Sequence, residues 1–199
     1  MKSITLFALF SLLLFFIFGC ASTNARYIDP NGKDTIISLN KINIQDWEMA
    51  SNQLVDSLLS SNVLNGSSEE PLVLGISRIS NRTTQHVDTD MLIKKIRISL
   101  NETGKVETTT TIGSTAEDPL AKSNREYQAY INNETVDVLS TLPDYTLSGK
   151  LLEDTARAGS DRQVTYTFQM TLTSVDSGRA VWEDEVSITK AGKKSTVGW

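Results

Sequence analysis

Few side chains in this 199-residue sequence are placed to do covalent chemistry. The only histidine, His86, lies in a polar stretch, and the only cysteine, Cys20, is far from it in the chain. A single imidazole with no second His or Cys beside it supplies neither a metal cluster nor a nucleophile–base pair, so His86 reads as a solvated loop residue. Glu183, Asp184 and Glu185 gather three carboxylates, but strand alternation puts Glu183 and Glu185 together on one wet face. The serines stand in no Gly-x-Ser-x-Gly elbow, nor in a Ser-x-x-Lys with its partner motifs. Gly104-Lys105 and Gly159-Ser160 lack the rest of a phosphate-binding loop and read as a helix end and a loop tip. Asn81, Asn101 and Asn133 each open an Asn-x-Thr triplet and read as loop and cap residues. The inventory implies no metal and no cofactor, and it argues for binding rather than catalysis.

Cys20 is the exception, because of what precedes it. Met1 to Gly19 has a basic start at Lys2 and an apolar run from Leu6 to Phe18 broken only by Ser11, the pattern of an export signal. Ile17-Phe18-Gly19-Cys20 resembles the lipobox of bacterial lipoproteins. Gly19 is compact enough for a peptidase to cut after it, and the Cys20 thiol can carry a diacylglycerol thioether. Three acyl chains on Cys20 exceed the two signals that stable anchoring needs. Ala21 after the lipidated cysteine, rather than Asp, favours the outer membrane in the enterobacterial sorting rule. The expectation is therefore a signal peptide over residues 1–19, a lipid anchor at Cys20 and a domain facing the periplasm.

One cysteine allows no disulfide framework, so the exported domain must be stable through its core. Lys and Arg number 19 against 24 Asp and Glu, and no basic cluster is strong enough for a nucleic-acid footprint. Residues 20–43 are poor in large apolar side chains and carry the Asp29-Pro30-Asn31-Gly32 turn cluster, which reads as a tether. Its fully extended limit is about 80 Å.

Residues 44–199 read as one domain. Asp46 is expected to cap a helix with Trp47, Ala50, Leu54, Leu58 and Leu59 on its buried stripe. Leu72 to Ile79 reads as an interior strand. A helix from Asp88 to about Leu100 buries Leu92, Ile93, Ile96 and Leu100, leaves Lys94, Lys95 and Arg97 wet and ends at Gly104. Val106 to Ile112 is β-branched and reads as a strand. Ala116 to Asn132 holds helix formers with Leu120, Tyr127, Tyr130 and Ile131 as anchors, and Asn133 to Leu142 forms a second short helix. Tyr145 to Leu151 is a strand, Glu153 to Arg162 a polar loop, and Val164 to Thr173 a strand with Val164, Tyr166, Phe168, Met170 and Leu172 on one face. Asp176 to Arg179 turns the chain into a last antiparallel strand, Ala180 to Ile188. The fold class is α/β: a small single-domain sandwich whose mixed sheet ends in an antiparallel meander with helices packed on it.

Several blocks together resemble the LpoB-like outer-membrane lipoproteins, which activate class A penicillin-binding proteins. They are Cys20, Tyr27-Ile28-Asp29-Pro30, Asp46-Trp47, Ile79-Ser80-Asn81-Arg82-Thr83, Thr103-Gly104-Lys105-Val106, Asp144-Tyr145-Thr146-Leu147-Ser148-Gly149, and Thr171 to Arg179 leading to Val181-Trp182. The resemblance implies a non-enzymatic monomer on the outer membrane that docks on an accessory domain of an inner-membrane synthase and stimulates peptidoglycan synthesis. The family's enterobacterial members have a longer, Pro-rich tether, and this one is short. The alternative is a structural or assembly lipoprotein of an outer-membrane secretion or flagellar complex. The candidate partner-binding residues are Arg78, Asn81, Arg82 and Thr83, where a strand end meets the polar loop Asn81 to Asp88. The Lys94-Lys95-Arg97 helix face is a further candidate.

Overall fold

The computed structural model describes residues 25–30, 32–65, 71–111, 118–131 and 142–193. The chain divides into two units, residues 1–35 and residues 36–199. In the first, the Gly32 amide donates to Asp29 O at 3.0 Å and Thr35 Oγ1 to Gly32 O at 2.8 Å, which closes the expected turn. The second unit begins at Ile36, so residues 36–43 of the expected linker belong to it.

That unit opens with α1 (Ile44–Ser60). Asn43 is its N-cap, and the carboxylate of Asp46 accepts the Asn43 amide at 2.7 Å. Asp46 is thus the third helical residue of a capping box rather than the cap itself. Trp47, Ala50, Leu54 and Leu58 are buried as their spacing requires, joined by Val55, while Leu59 is half-buried. β1 (Leu72–Arg82) leads through α2 (Asp90–Glu102) to the short β2 (Val106–Thr109), which pairs parallel with β1. Leu92, Ile93, Ile96 and Leu100 of α2 are buried. Arg97 was expected in water but is 5 % exposed, because it lies four residues after Ile93 and so on the same face.

α3 (Pro119–Ile131) precedes β3 (Tyr145–Ala158), β4 (Asp161–Ser174) and β5 (Ala180–Lys193). The sheet order is β2-β1-β3-β4-β5, with β3 parallel to β1 and the last three strands antiparallel. This is the expected α/β architecture, with β1 interior. Two differences stand out. The expected loop Glu153 to Arg162 is mostly ladder: pairing runs from Glu153↔Tyr166 to Ala158↔Asp161 around a Gly159-Ser160 tip. From Glu153 to Arg162 the only apolar side chains are Ala156 and Ala158, so the segment carries no strong alternation to read even though its partners Val164 and Tyr166 are buried. Leu120, Tyr127, Tyr130 and Ile131 are not anchors, being 80 %, 60 %, 82 % and 50 % exposed. The expected helix over Asn133 to Leu142 falls almost wholly outside the described residues.

The core lies between α1 and α2 and one sheet face. Val164, Tyr166, Phe168, Met170 and Leu172 all point into it. Trp47 meets Phe168 edge to face, ring centroids 5.5 Å apart at 75°. Such a pair adds about 0.5–1.5 kcal/mol beyond the burial itself and holds the start of α1 on the centre of β4.

Candidate functional site

Alternation leaves the other face of the sheet without a covering layer among the described residues, and lateral pairing sets its side chains in rows. One row runs Ser80, Lys150, Gln169, Glu185 across β1, β3, β4 and β5; the next runs Arg82, Leu152, Thr167, Ser187. A third runs Ser148, Thr171, Glu183. Lys150, Gln169, Thr171, Glu183 and Glu185 line a shallow depression of about 500 Å³.

The acidic side of this face is internally satisfied. Gln169 Nε2 donates to Glu185 at 2.8 Å and Thr171 Oγ1 to Glu183 at 2.9 Å. The basic side is not. Arg78, Arg82 and Lys150 are exposed and none makes a side-chain hydrogen bond or ion pair with a described residue. A bulge sets the position of Arg78: Ile76 pairs with Leu147 and Ile79 with Gly149, so Ser77 and Arg78 together oppose Ser148 and both stand exposed. Bulges re-aim side chains in this way and recur beside functional sites.

The loop after β1 is held from within. Asn81 Oδ1 accepts the Thr83 amide and hydroxyl at 2.9 and 2.8 Å, Asn81 Nδ2 donates to Gln85 O at 2.8 Å, and the Gln85 amide donates to Thr83 Oγ1 at 3.1 Å. Glu153 accepts from the Thr84 amide and hydroxyl at 3.0 and 2.9 Å. Of the four predicted docking residues, Asn81 and Thr83 therefore build the loop, while Arg78 at the bulge and Arg82 at the end of β1 are exposed beside it. Gln85 Nε2 donates to the Tyr166 hydroxyl at 2.7 Å, and its Oε1 accepts the Ile42 amide at 3.1 Å. Burial pushes the Tyr166 hydroxyl above its ordinary pKa of 10.0; the Gln85 bond opposes this, and the charges of Glu153 and Asp46 add to it.

Behind the loop lies a clasp. The Lys190 ammonium pairs with Asp46 and donates to Lys41 O at 2.9 Å and Ser38 O at 3.3 Å, with the Tyr166 ring 5.5 Å away. All three of its protons have acceptors, as a buried ammonium requires.

The Lys94-Lys95-Arg97 set does not share one exposed face: Arg97 turns inward, and Lys95 pairs with Glu48 at 3.9 Å. His86 is exposed in its loop. Asn101 sits in the last turn of α2, its side chain accepting the Thr108 amide at 3.1 Å, and Asn133 lies outside the described residues, as does Cys20. No group of three or more His, Cys, Asp or Glu among the described residues is arranged to hold a metal. Sequence reasoning missed Lys150 and the clasp. The signal for the clasp was a lysine in the apolar phase of β5, after Val186 and Ile188; its partner lies 144 residues away.

A family model described as the peptidoglycan-synthase activator LpoB matches residues 46–188, which takes in the bulge, the loop, β1 to β4 and β5 as far as Ile188. The chain belongs to the LpoB family. Membership makes it, in general terms, a peptidoglycan-synthase activator, a regulator rather than an enzyme, of the periplasmic lipoprotein type. Among the described residues no helix is long and apolar enough to cross a membrane. No curated protein matches the chain in sequence. Among solved structures it is similar to the LpoB C-terminal domains of Salmonella enterica and Escherichia coli, each at 17 % identity and TM-score 0.44, over 72 % of this chain and 98 % of theirs. It is also similar to lipoprotein GNA1162 of Neisseria meningitidis, at 16 % identity and TM-score 0.39, over 63 % of this chain and 88 % of that one. The LpoB match starts at Asp46, so the acidic half of the clasp falls within it and Lys190 just beyond it.

Proposed function

We propose that this chain is a lipid-anchored activator of a class A penicillin-binding protein. In this reading Cys20 carries the lipid that holds it to the outer membrane, and the basic side of the open sheet face, Arg78, Arg82 and Lys150, docks on the synthase. The LpoB family match carries the reading. The three exposed cations support the choice of surface, since unsatisfied charge beside a rigid loop steers encounter and fixes orientation. Asn81 and Thr83 serve by shaping the loop. Activation requires that the chain bind the active conformation of the synthase more tightly than the inactive one.

The reach sets a condition. From Ala21 to Thr35 there are 15 residues before the second unit, spanning at most about 50 Å fully extended. Partner and anchor must therefore come closer than the roughly 80 Å that a tether ending at residue 43 allows.

The test is precipitation of the chain from detergent-solubilised membranes of its own cells fed labelled palmitate. The chain should carry label that Cys20→Ala abolishes, and should bring down a penicillin-binding protein. Arg78→Glu/Arg82→Glu should weaken capture of that synthase roughly ten- to a hundredfold, at about 1.4 kcal/mol per decade. Recovery of secretion or flagellar components in place of a synthase would overturn the reading, and unchanged capture by the double variant would overturn the surface.

A further inference from the structure

We propose that residues 36–43 form a strap that regulates the docking surface: seated, it fixes Gln85 and with it the loop beside Arg82, and unseated, it lowers affinity for the synthase. The proposal rests on the activator reading above and on one residue that two segments share. The strap closes on itself, Asn43 Nδ2 donating to Ile36 O at 3.1 Å, and sets Leu39 and Ile42 against the core. Lys190 takes two of its carbonyls, Ser38 O and Lys41 O. Gln85 and Tyr166 take the groups beside them. Gln85 Oε1 accepts the Ile42 amide at 3.1 Å, and the Tyr166 hydroxyl, which receives Gln85 Nε2 at 2.7 Å, donates to Leu39 O at 3.5 Å. The carboxamide fits one way round, because reversal would set its NH2 against the Ile42 N–H.

The backbone of the same residue closes the loop after β1. Gln85 O accepts Asn81 Nδ2, and the Gln85 amide donates to Thr83 Oγ1. Asn81 and Thr83 flank Arg82, so the residue that holds the strap also sets both neighbours of a docking cation. Loss of the strap does not unfold the loop, since Glu153 still takes Thr84 and Val87 still packs on the core. It removes one of the two partners that fix the Gln85 side chain, and a half-buried carboxamide left with one partner regains rotamer freedom. A loop that must be ordered on docking binds more weakly than one ordered beforehand. Linkage makes the effect mutual: a synthase that prefers the ordered loop must also hold the strap in its seat. The strap is where the folded unit begins, so the chain leading back to Cys20 and the loop beside the docking surface meet at one carboxamide.

The test uses the full chain, hydrogen exchange read at single amides, and capture of the synthase. Leu39→Ala loosens the strap without stranding a charge, and Lys190→Met loosens it from a buried position that no partner touches. Each should speed exchange of the Ile42 amide and, together with it, of the Thr83 and Gln85 amides. Each should also weaken synthase capture roughly three- to tenfold, the scale of one hydrogen bond. Gln85→Leu should weaken capture by a similar factor and leave Leu39→Ala with no further effect, because the two act through one contact. In the wild-type chain, bound synthase should slow exchange of the Ile42 amide by roughly threefold or more, and Gln85→Leu should abolish that slowing. A faster Ile42 amide in Leu39→Ala with unchanged Thr83 and Gln85 amides, or with unchanged capture, overturns the proposal and leaves the activator reading intact. So does a Leu39→Ala effect on capture that persists in full beside Gln85→Leu. A wild-type chain that neither binds nor stimulates the synthase overturns the activator reading and this regulation with it.

Discussion

Lys190→Met removes the ammonium from the clasp and keeps most of the stem that fills its site. The change strands the Asp46 carboxylate, whose side chain is 7 % exposed, without its counter-charge. Breaking a buried pair from one side costs about 3–5 kcal/mol. The Ser38 and Lys41 carbonyls lose a donor as well, but Lys41 is exposed and Ser38 only half-buried, so water replaces that bond at small cost. The carboxylate term therefore decides the total. For a unit of this size each kcal/mol moves the melting temperature about 2–4 °C, which predicts a drop of roughly 6–20 °C. Asp46→Asn strands the other half of the pair. The double variant should then lose less than the two single variants together, by about 1–3 kcal/mol, because each single change already pays for an orphaned charge. Thermal and urea unfolding of the four proteins gives the cycle, and hydrogen exchange at residues 38–43 should accelerate in Lys190→Met. A melting shift below about 2 °C, or additivity within about 0.5 kcal/mol, refutes the account of the clasp as a coupled buried pair.

Two further outcomes follow from local geometry. Gly149→Ala would put a Cβ 2.6 Å from Gln169 O, a backbone atom that cannot step aside, and should cost about 2–3 kcal/mol in urea unfolding, whereas Gly159→Ala at an open tip with φ +61° should cost about 1 kcal/mol. Tyr166 has a folded pKa above its unfolded 10.0, so the fold favours the neutral hydroxyl; that contribution is complete below pH 10 and falls away as pH rises through the folded value. In melting curves from pH 8 to 11, Tyr166→Phe should therefore lose stability less steeply above pH 10 than wild type, while starting about 1 kcal/mol lower for want of the Gln85 bond. Parallel curves would contradict the assignment.

What could be read from the chain followed from periodicity. The stripe of α1, the crossover through α2 and the inward residues of β4 are all set by apolar spacing, and all appear where that spacing puts them. Pairings that involve no apolar alternation stayed hidden. The outer half of the β3–β4 hairpin has no large apolar side chain from Glu153 to Arg162, so its ladder reads as a loop. Arg97 looked wet because its type outweighed its position on the helix. The stripe of α3 was legible as amphipathic, but amphipathicity says only that a face seeks burial, and the structure leaves that face uncovered. At the candidate site, Arg78 and Arg82 stood out as charges at a strand end. Only the register shift explains why Arg78 faces out from the middle of a strand, and register depends on a partner some seventy residues away.

The clasp also defines a load path. For a domain held by lipid on one side and by a synthase on the other, any pull on the N-terminal chain enters at Ile36 and passes through Ser38 and Lys41. There it meets two carbonyl bonds to one ammonium, whose third partner is Asp46 inside α1, before it reaches that helix or a strand ladder. Those bonds sit in series with the anchor, and the ladders of β3, β4 and β5 lie behind them. Opening the clasp together with the Gln85 bond to Ile42 and the packing of Leu39 and Ile42 would free residues 36–43, at most roughly 25–30 Å of additional chain. Strain between two envelope layers would thus be taken up by a short reserve of length, with the docking surface left folded.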